Sequence, residues 1–356
     1  SDEVSANVRM PLTRTVRNVS ILAATAAVLS LGITAHAAEI DEQRALFKRA
    51  HAAAERGDWS VVSNLSAAER KSLANYALWP DLRATFFRAT IRKADRSDVE
   101  AFLDQHGTLK PARDLRYRYA KHLAANGDLD AYFNIYQQYY QGREIAELDC
   151  LALQAELSNG REKRVPIRAR ELWMVGSSQA NECDPVFEFL QAENLLAPHD
   201  YINRFDLAID EREFNLARWL AKSIVQQHVD IAGQWISAQR DPEKFVRRHL
   251  SWTSDQHLRN QLAYAIERIT YRDPDVANER WQKLDAVHSF SAAQEMVTER
   301  HIALWTARDH LPDAYLRLLQ LPVAAQNDEV SRWRARTSLR QQNWKNLITD
   351  VSQMSA

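Results

Sequence analysis

The apolar side chains of this sequence recur at helical spacing. Leu115, Tyr119 and Leu123 are four residues apart, and Leu262 and Ile266 repeat the interval further along the chain. Residues three or four apart lie on one face of an α-helix, whereas a half-buried strand alternates with a period of two. No long segment shows sustained alternation. The pattern therefore predicts an all-α protein.

Helix boundaries carry explicit signals in the sequence. Three segments fit the capping box, in which two side chains satisfy orphaned amide groups: Ser66–Glu69, Ser97–Glu100 and Ser291–Gln294. Three Asp-Pro pairs would place an N-cap before a proline at the first helical position: Asp184-Pro185, Asp241-Pro242 and Asp273-Pro274. Three glycines follow apolar runs, as C-terminal glycines do: Gly107, Gly127 and Gly160.

Polar turns followed by a large apolar residue recur along the chain. They are found at Arg56–Trp59, Asn126–Leu129, Arg212–Phe214 and Gln342–Trp344. Their spacing is irregular, so there is no strict repeat length. The turns still indicate helical hairpins that stack on one another, each covering an apolar face of its neighbour. We predict one continuous array over residues 38–356, because no internal linker rich in Pro, Gly or Ser interrupts it.

Composition supports the helical prediction and narrows the function. The chain has eight glycines, none of them after Gly233. Phosphate-binding loops and Rossmann turns need glycine where the backbone approaches a ligand, so nucleotide cofactors are not expected. The net charge is −1. A chain so close to neutral has no global field to attract nucleic acid or an anionic membrane.

The first residues read as a secretion signal. Arg9, Arg14 and Arg17 precede an uncharged run from Val19 to Ile33, and a small-x-small cleavage site follows at Ala35–Ala37. The run is shorter than the roughly 20 residues of a membrane span. We therefore predict an N-terminal extension with a cleavable signal at residues 1–37, a true start at Met10 or upstream, and no membrane span after cleavage.

Two cysteines, Cys150 and Cys183, are the only ones in the chain. In an exported protein such a pair is a candidate disulfide, since the compartment is oxidising. Neither lies in a Cys-x-x-Cys motif, so redox or metal chemistry is not expected. A structural bridge would stabilise the fold by about 3–4 kcal/mol.

Clusters that could carry catalysis are sparse. The richest acidic group is Asp206, Asp210, Glu211 and Glu213, interleaved with arginines and expected to form a solvated surface. The histidines show no HExxH spacing and there is no Gly-x-Ser-x-Gly elbow, so no catalytic residue, metal site or cofactor is assigned.

The stretch from Arg113 to Tyr140 has the most binding potential. It holds six of the eleven tyrosines, and Tyr132, Tyr136 and Tyr140 recur on one helix face. Aromatic rings beside guanidinium groups can stack on and hydrogen-bond a glycan strand. Packing between helices is the competing interpretation, and nucleic-acid contact is a remote third. The candidate glycan-binding residues are Arg113, Arg116, Tyr117, Tyr132, Tyr136 and Tyr140.

A longer motif resembles a known family. The segment Glu171–Phe187 looks like the pattern ELW-x-x-G-x-S-Q-x-x-x-C-D-x-x-F of the soluble lytic murein transglycosylases, in their superhelical domain. Three other pieces resemble elements of that domain in the family's order: Tyr76–Leu82, then Phe102-Leu103 with Leu109–Arg113, and finally Leu148–Cys150. Cys150 stands where the family has the disulfide partner.

The resemblance implies a right-handed, U-shaped α-superhelix in the periplasm. The family cleaves peptidoglycan between MurNAc and GlcNAc to 1,6-anhydro ends with a separate lysozyme-like domain. The signature of that domain, a Glu-Ser pair and a Gly-Leu-Met-Gln element, does not occur in this sequence. We therefore expect a chain that is inactive alone, whose partners are glycan strands and, where present, the catalytic domain. The alternative is an independent helical scaffold for periplasmic proteins.

Overall fold

The computed structural model describes residues 40–251 and 255–354. These residues form α-helices joined by turns and short 3-10 segments, and no strand occurs among them. The predicted all-α class is therefore confirmed. The predicted secretion signal lies outside the described residues. Among the helices that the structure describes, none combines the length and the hydropathy needed to cross a bilayer.

The first of two compact units ends at Glu162. Its described helices are α1 (40–54), α2 (Ser60–Ser63), α3 (Ala67–Asn75), α4 (Trp79–Thr90), α5 (Arg96–His106), α6 (Lys110–Ala125), α7 (Leu129–Tyr139) and α8 (Ala146–Ser158). From α5 to α8 each helix packs on its neighbour within this unit, and α4 also packs on α6. Their apolar faces bury a core that includes Phe87, Phe102, Leu115 and Leu148.

The second unit begins at Lys163. Its α-helices are α9 (Val165–Trp173), α10 (Asp184–Ala192), α11 (Pro198–Asp210), α12 (Phe214–Ala221), α13 (Gln226–Arg240), α14 (Pro242–Arg248), α15 (Gln256–Thr270), α16 (Pro274–Asp285), α17 (Ala292–Arg308), α18 (Ala314–Gln320), α19 (Asp328–Arg340) and α20 (Trp344–Ser352). From α11 onward each helix packs on the next. In addition, α13 packs on α15, α15 on α17 and α17 on α19. One continuous array over both units stays a prediction.

Most of the predicted helix caps are confirmed. The boxes at Ser66 and Ser291 are formed, and Asp241 and Asp273 cap their helices. The box predicted at Ser97 is wrong. The N-cap is Asp95, whose carboxylate accepts hydrogen bonds from both the amide and the hydroxyl of Ser97.

Two further boundaries differ from the sequence-based expectation. Asp184 is the first residue of α10 rather than its cap, since the cap position is taken by Cys183. Gly127 and Gly160 have positive φ, as expected of glycines that end helices, but Gly107 has a φ of −57°. An added Cβ at Gly107 would lie 2.7 Å from the Arg116 guanidinium and 2.6 Å from the Leu103 carbonyl oxygen. Close approach, rather than a left-handed turn, therefore explains this glycine.

The segment Glu171–Phe187 connects α9 to α10 and is packed tightly against α11. The Trp173 ring is fully buried, with the Arg204 guanidinium 4.6 Å from its centroid. Arg204 donates to the Val175 carbonyl, 3.1 Å away, and the Gln179 amide donates to the Leu172 carbonyl. Burial lowers the pKa of Arg204 to about 10, which leaves it charged at neutral pH. The motif Glu171–Phe187, on which the family resemblance chiefly rests, therefore has a structural role in joining two helices.

Both cysteines are disulfide-bonded, and no described cysteine is free. Each is completely buried. Burial protects disulfide-bonded cysteines from reductants in solution.

Gly176 should be intolerant of any side chain. Its added Cβ would lie 2.5 Å from the Leu207 carbonyl oxygen on α11, which cannot move without shifting the helix. We expect Gly176→Ala to lower the free energy of unfolding by about 1–3 kcal/mol. Denaturant unfolding followed by circular dichroism measures this change.

Gly233→Ala is the matched control. Gly233 lies inside α13, where an added Cβ meets nothing within 4 Å. Replacing it should raise the free energy of unfolding by about 0.5–1 kcal/mol, because alanine favours the helix. Equal effects of the two substitutions would contradict the proposed close approach at Gly176.

Candidate functional site

The tyrosines of α7 are largely engaged in packing. Tyr132 is fully buried, and its hydroxyl donates to the Leu148 carbonyl at 2.6 Å. Tyr136 is half-buried and donates to the Asp149 carboxylate at 2.7 Å. Both hydroxyls therefore fasten α7 to α8. The Tyr132 ring has no exposed surface that a glycan could contact, so packing between helices explains this tyrosine.

The remaining predicted residues of this stretch are divided between core and surface. Arg116 is buried, donates to the Gly107 carbonyl, and lies 3.8 Å from the centroid of the Tyr139 ring. Arg113 is exposed, and the half-buried rings of Tyr117 and Tyr140 meet edge to face. Glycan contact here stays a prediction that rests on these last three residues.

The acidic cluster of α11 and its following turn lies on the surface. Asp206, Asp210, Glu211 and Glu213 are all exposed. Within the described ranges, no group of three His, Cys, Asp or Glu side chains is arranged to hold a metal ion.

The second unit contains a cleft of about 910 Å³. Such a volume lies toward the upper end of the range of roughly 300–1,000 Å³ that small-ligand sites occupy. Its wall is made by the alternate helices α13, α15, α17 and α19, which pack directly on one another, and by the end of α11. The polar and aromatic side chains of the lining are Asp210, Arg212, Trp235, Asn260, Tyr264, Glu267, Tyr271, Gln294, Thr298, Arg300, His301, Trp305, Arg308 and Glu329.

An ion pair stands at the cleft wall. Both terminal nitrogens of Arg212 donate to the two carboxylate oxygens of Glu267, each at 2.8 Å, and Tyr271 donates to the same carboxylate at 3.1 Å. The Arg212 guanidinium also lies 5.2 Å from the Tyr264 ring centroid. Partial burial alone would raise the pKa of Glu267, but the Arg212 guanidinium and the Tyr271 hydroxyl together lower it. Glu267 is consequently ionised at neutral pH.

Aromatic rings form two groups in the lining. Tyr271, which is 44% exposed, meets Trp305 and His301 edge to face at 4.9 Å and 5.0 Å between centroids. Deeper in, Trp235 contacts Tyr264 edge to face at 5.5 Å. Perpendicular contacts of this kind suit the charge distribution of the rings and fix their orientation.

The charges of the cleft balance. Three arginines (Arg212, Arg300, Arg308) face three carboxylates (Asp210, Glu267, Glu329). Besides the Arg212–Glu267 pair, Arg308 donates to Glu329 at 2.8 Å. Burial, together with the charges of Arg308 and Arg212, lowers the pKa of His301 and outweighs the opposite effect of Glu267. His301 is therefore neutral at pH 7, and the cleft favours neither a polyanion nor a polycation.

The sequence patterns do not single out this cleft, and Arg212 appears among them only in the turn before Phe214. One signal was available, because Asn260, Tyr264, Glu267 and Tyr271 recur at helical spacing and so share a face of α15. That spacing does not tell which helix faces them.

Known proteins of similar sequence are soluble lytic murein transglycosylases. The one from Escherichia coli strain K12 is 24% identical over 324 residues, which are 91% of this chain and 47% of the relative. That from Salmonella typhimurium is 24% identical over 257 residues, or 72% of this chain and 39% of the relative. No protein-family model matches the sequence.

Solved structures agree. A lytic transglycosylase Slt from Pseudomonas aeruginosa, an inactive mutant, superposes with a TM-score of 0.59 and 26% identity over 87% of this chain and 49% of that one. The 70 kDa soluble lytic transglycosylase of Escherichia coli gives a TM-score of 0.57 at 21% identity, over 88% of this chain and 55% of that one, and so shows the shared fold. The chain is a homologue of the soluble lytic murein transglycosylases.

The homology covers only part of those proteins. The chain spans about half the length, or less, of the curated transglycosylases it matches. It does include Glu171–Phe187, the segment on which the sequence resemblance chiefly rested. In this transglycosylase homologue that segment runs from the end of α9 to the start of α10, and none of its residues lines the cleft.

The ion pair of the cleft should make stability depend on pH. A carboxylate whose pKa is lower in the folded than in the unfolded state stabilises the fold above the unfolded value, about 4.3 for glutamate. That contribution is lost as the pH falls through the folded value. Because Arg212 is about half exposed, we expect it to be about 1 kcal/mol at most.

The Glu267 carboxyl carbon, followed by NMR between pH 2 and 7, reports the effect directly. In Arg212→Gly its midpoint should move to higher pH, since the guanidinium no longer favours the ionised form. Glu279, exposed on α16 and paired with Lys283, is the internal reference whose midpoint should stay constant. An unchanged Glu267 midpoint would contradict the ion pair.

Proposed function

We propose that this chain is the non-catalytic helical part of a periplasmic lytic murein transglycosylase and that it holds peptidoglycan strands for cleavage elsewhere in the enzyme. The observation that carries the proposal is the similarity to soluble lytic murein transglycosylases along 91% of the chain. These relatives are named as murein transglycosylases, and murein is therefore the substrate class that we propose for this chain. The disulfide-bonded cysteines support an oxidising compartment such as the periplasm.

The chemistry of the described carboxylates supports the non-catalytic part. Cleavage of a glycosidic bond needs a carboxyl group with a raised pKa in a sheltered cleft. In the cleft, Glu267 is ion-paired and its pKa is lowered. Glu299 on α17 has a pKa raised chiefly by burial, but it is not part of the cleft lining.

The proposal predicts binding without cleavage. Purified chain should sediment with isolated sacculi and be released by soluble glycan fragments from digested sacculi. It should liberate no 1,6-anhydro-muropeptides, measured by turbidity and by chromatography of the supernatant. A lytic transglycosylase that includes its catalytic domain is the positive control for release. Anhydro products from this chain would refute its non-catalytic role, and failure to sediment would refute strand holding.

A protein scaffold is the second candidate function, favoured by the surface of α20. Trp344, Ile348 and Val351 are 60%, 72% and 52% exposed and lie on one helix face. Exposed apolar stripes often mark protein contacts. The sedimentation experiment separates the two functions, because a scaffold would leave sacculi unbound.

A further inference from the structure

Two buried polar atoms in the cleft lining have no hydrogen-bond partner among the described residues. They are the indole nitrogen Nε1 of Trp235 and the imidazole nitrogen Nε2 of His301. Trp235 is only 8% exposed. Buried polar atoms are nearly always satisfied, because an unpaired one costs about 1–3 kcal/mol. Both belong to side chains that line one cleft, which makes them candidate hydrogen-bond partners for a ligand with hydroxyl groups.

The backbone at Arg212 points to the same cleft. Arg212 has a φ of 63°, one of five positive values at non-glycine residues within the described ranges. In comparable turns the left-handed position is taken by Gly57 and Gly127. A non-glycine residue in this conformation costs on the order of 1 kcal/mol. In this conformation the Arg212 side chain pairs with Glu267 on the cleft wall.

The balanced charges and the aromatic rings of the cleft lining indicate which class of ligand the cleft can bind. The lining holds as many arginines as carboxylates, and two of the three carboxylates are ion-paired, so an uncharged ligand needs no compensating ion. Tyr271 has nearly half of its surface exposed, while its hydroxyl and its ring contacts hold it in place. An amphipathic ring beside fixed donors and acceptors suits a molecule with apolar ring faces and hydroxyl edges.

We propose that this cleft is a binding site for a short uncharged stretch of a saccharide chain. Tyr271 contacts a sugar ring, the Arg212–Glu267 pair hydrogen-bonds its hydroxyls, and Trp235 Nε1 and His301 Nε2 pair with hydroxyl or acetamido groups deeper in the cleft. The inference rests on the proposed function for the identity of the saccharide, a peptidoglycan strand, and it moves the binding site from the tyrosines of α6 and α7 to the second unit.

Isothermal titration with chitotetraose, an uncharged β-1,4-linked N-acetylglucosamine tetramer, tests the site. Tyr271→Ala should weaken binding about tenfold, as expected from the loss of one aromatic contact with its buried area. Arg212→Gly should weaken binding comparably while the fold is kept, because glycine suits the left-handed turn. Trp219→Ala, which removes an exposed ring of α12 outside the lining, is the matched control and should bind like the parent chain.

Trp235→Phe distinguishes a ligand-binding role from a packing role. It keeps an aromatic ring against Tyr264 but removes the unpaired indole donor. Thermal stability without ligand should fall modestly, because the smaller ring leaves a cavity, an effect that removal of the unpaired donor partly offsets. Affinity for chitotetraose should fall several-fold. If stability falls and affinity is unchanged, Trp235 serves packing alone and the inference is overturned.

The outcomes separate this inference from the proposed function. If the chain sediments with sacculi but chitotetraose fails to bind, or the cleft variants sediment like the parent, the cleft inference is wrong and strand holding stands. If chitotetraose binds at the cleft while sacculi are not retained, the cleft inference stands and the proposed function fails. Binding of a free stem peptide, instead of chitotetraose, to the cleft would also overturn the inference.

Discussion

The second unit depends on close contact between alternate helices, and alanine makes that contact possible. Ala232 and Ala238 on α13, Ala265 on α15, and Ala303 and Ala307 on α17 are all essentially buried. The distance between packed helices is set by the side chains at the contact, and a methyl group keeps it short. The same alternate helices form the wall of the cleft.

Arginine has two different roles in the chain. Arg116 and Arg204 are buried without a carboxylate partner in the hydrogen bonds described for them. Each lies near an aromatic ring and donates to backbone carbonyls. A planar guanidinium can be buried in this way, since ring and carbonyls together replace its hydration. Arg212 instead pairs with a carboxylate at a wall that solvent reaches. Arg116 and Arg204 thus hold connections of the fold, whereas Arg212 shapes a surface.

The sequence predicted local features well and distant ones poorly. Helix caps such as Ser291 and C-terminal glycines such as Gly127 act within one turn of helix. The residues next to them in the sequence are therefore enough to predict them. The prediction at Ser97 was wrong because two nearby residues, Asp95 and Ser97, can both serve as the N-cap. Asp95 takes the position, since an ionised carboxylate oxygen is a stronger hydrogen-bond acceptor than a hydroxyl. Tyr132 illustrates the limit, since its spacing gave a helix face but not the fact that α8 covers it. The Arg212–Glu267 pair is invisible in sequence because its members belong to different hairpins.

A cleft without net charge suits the saccharide site proposed above. A single saccharide contact of this kind, without charge attraction, holds its ligand weakly and releases it readily. A strand repeats the same unit many times, so a second contact on the same molecule raises the effective concentration at the first. Retention then comes from the number of contacts, and each one stays exchangeable. The balance of three arginines and three carboxylates fits the uncharged saccharide stretch proposed for this cleft.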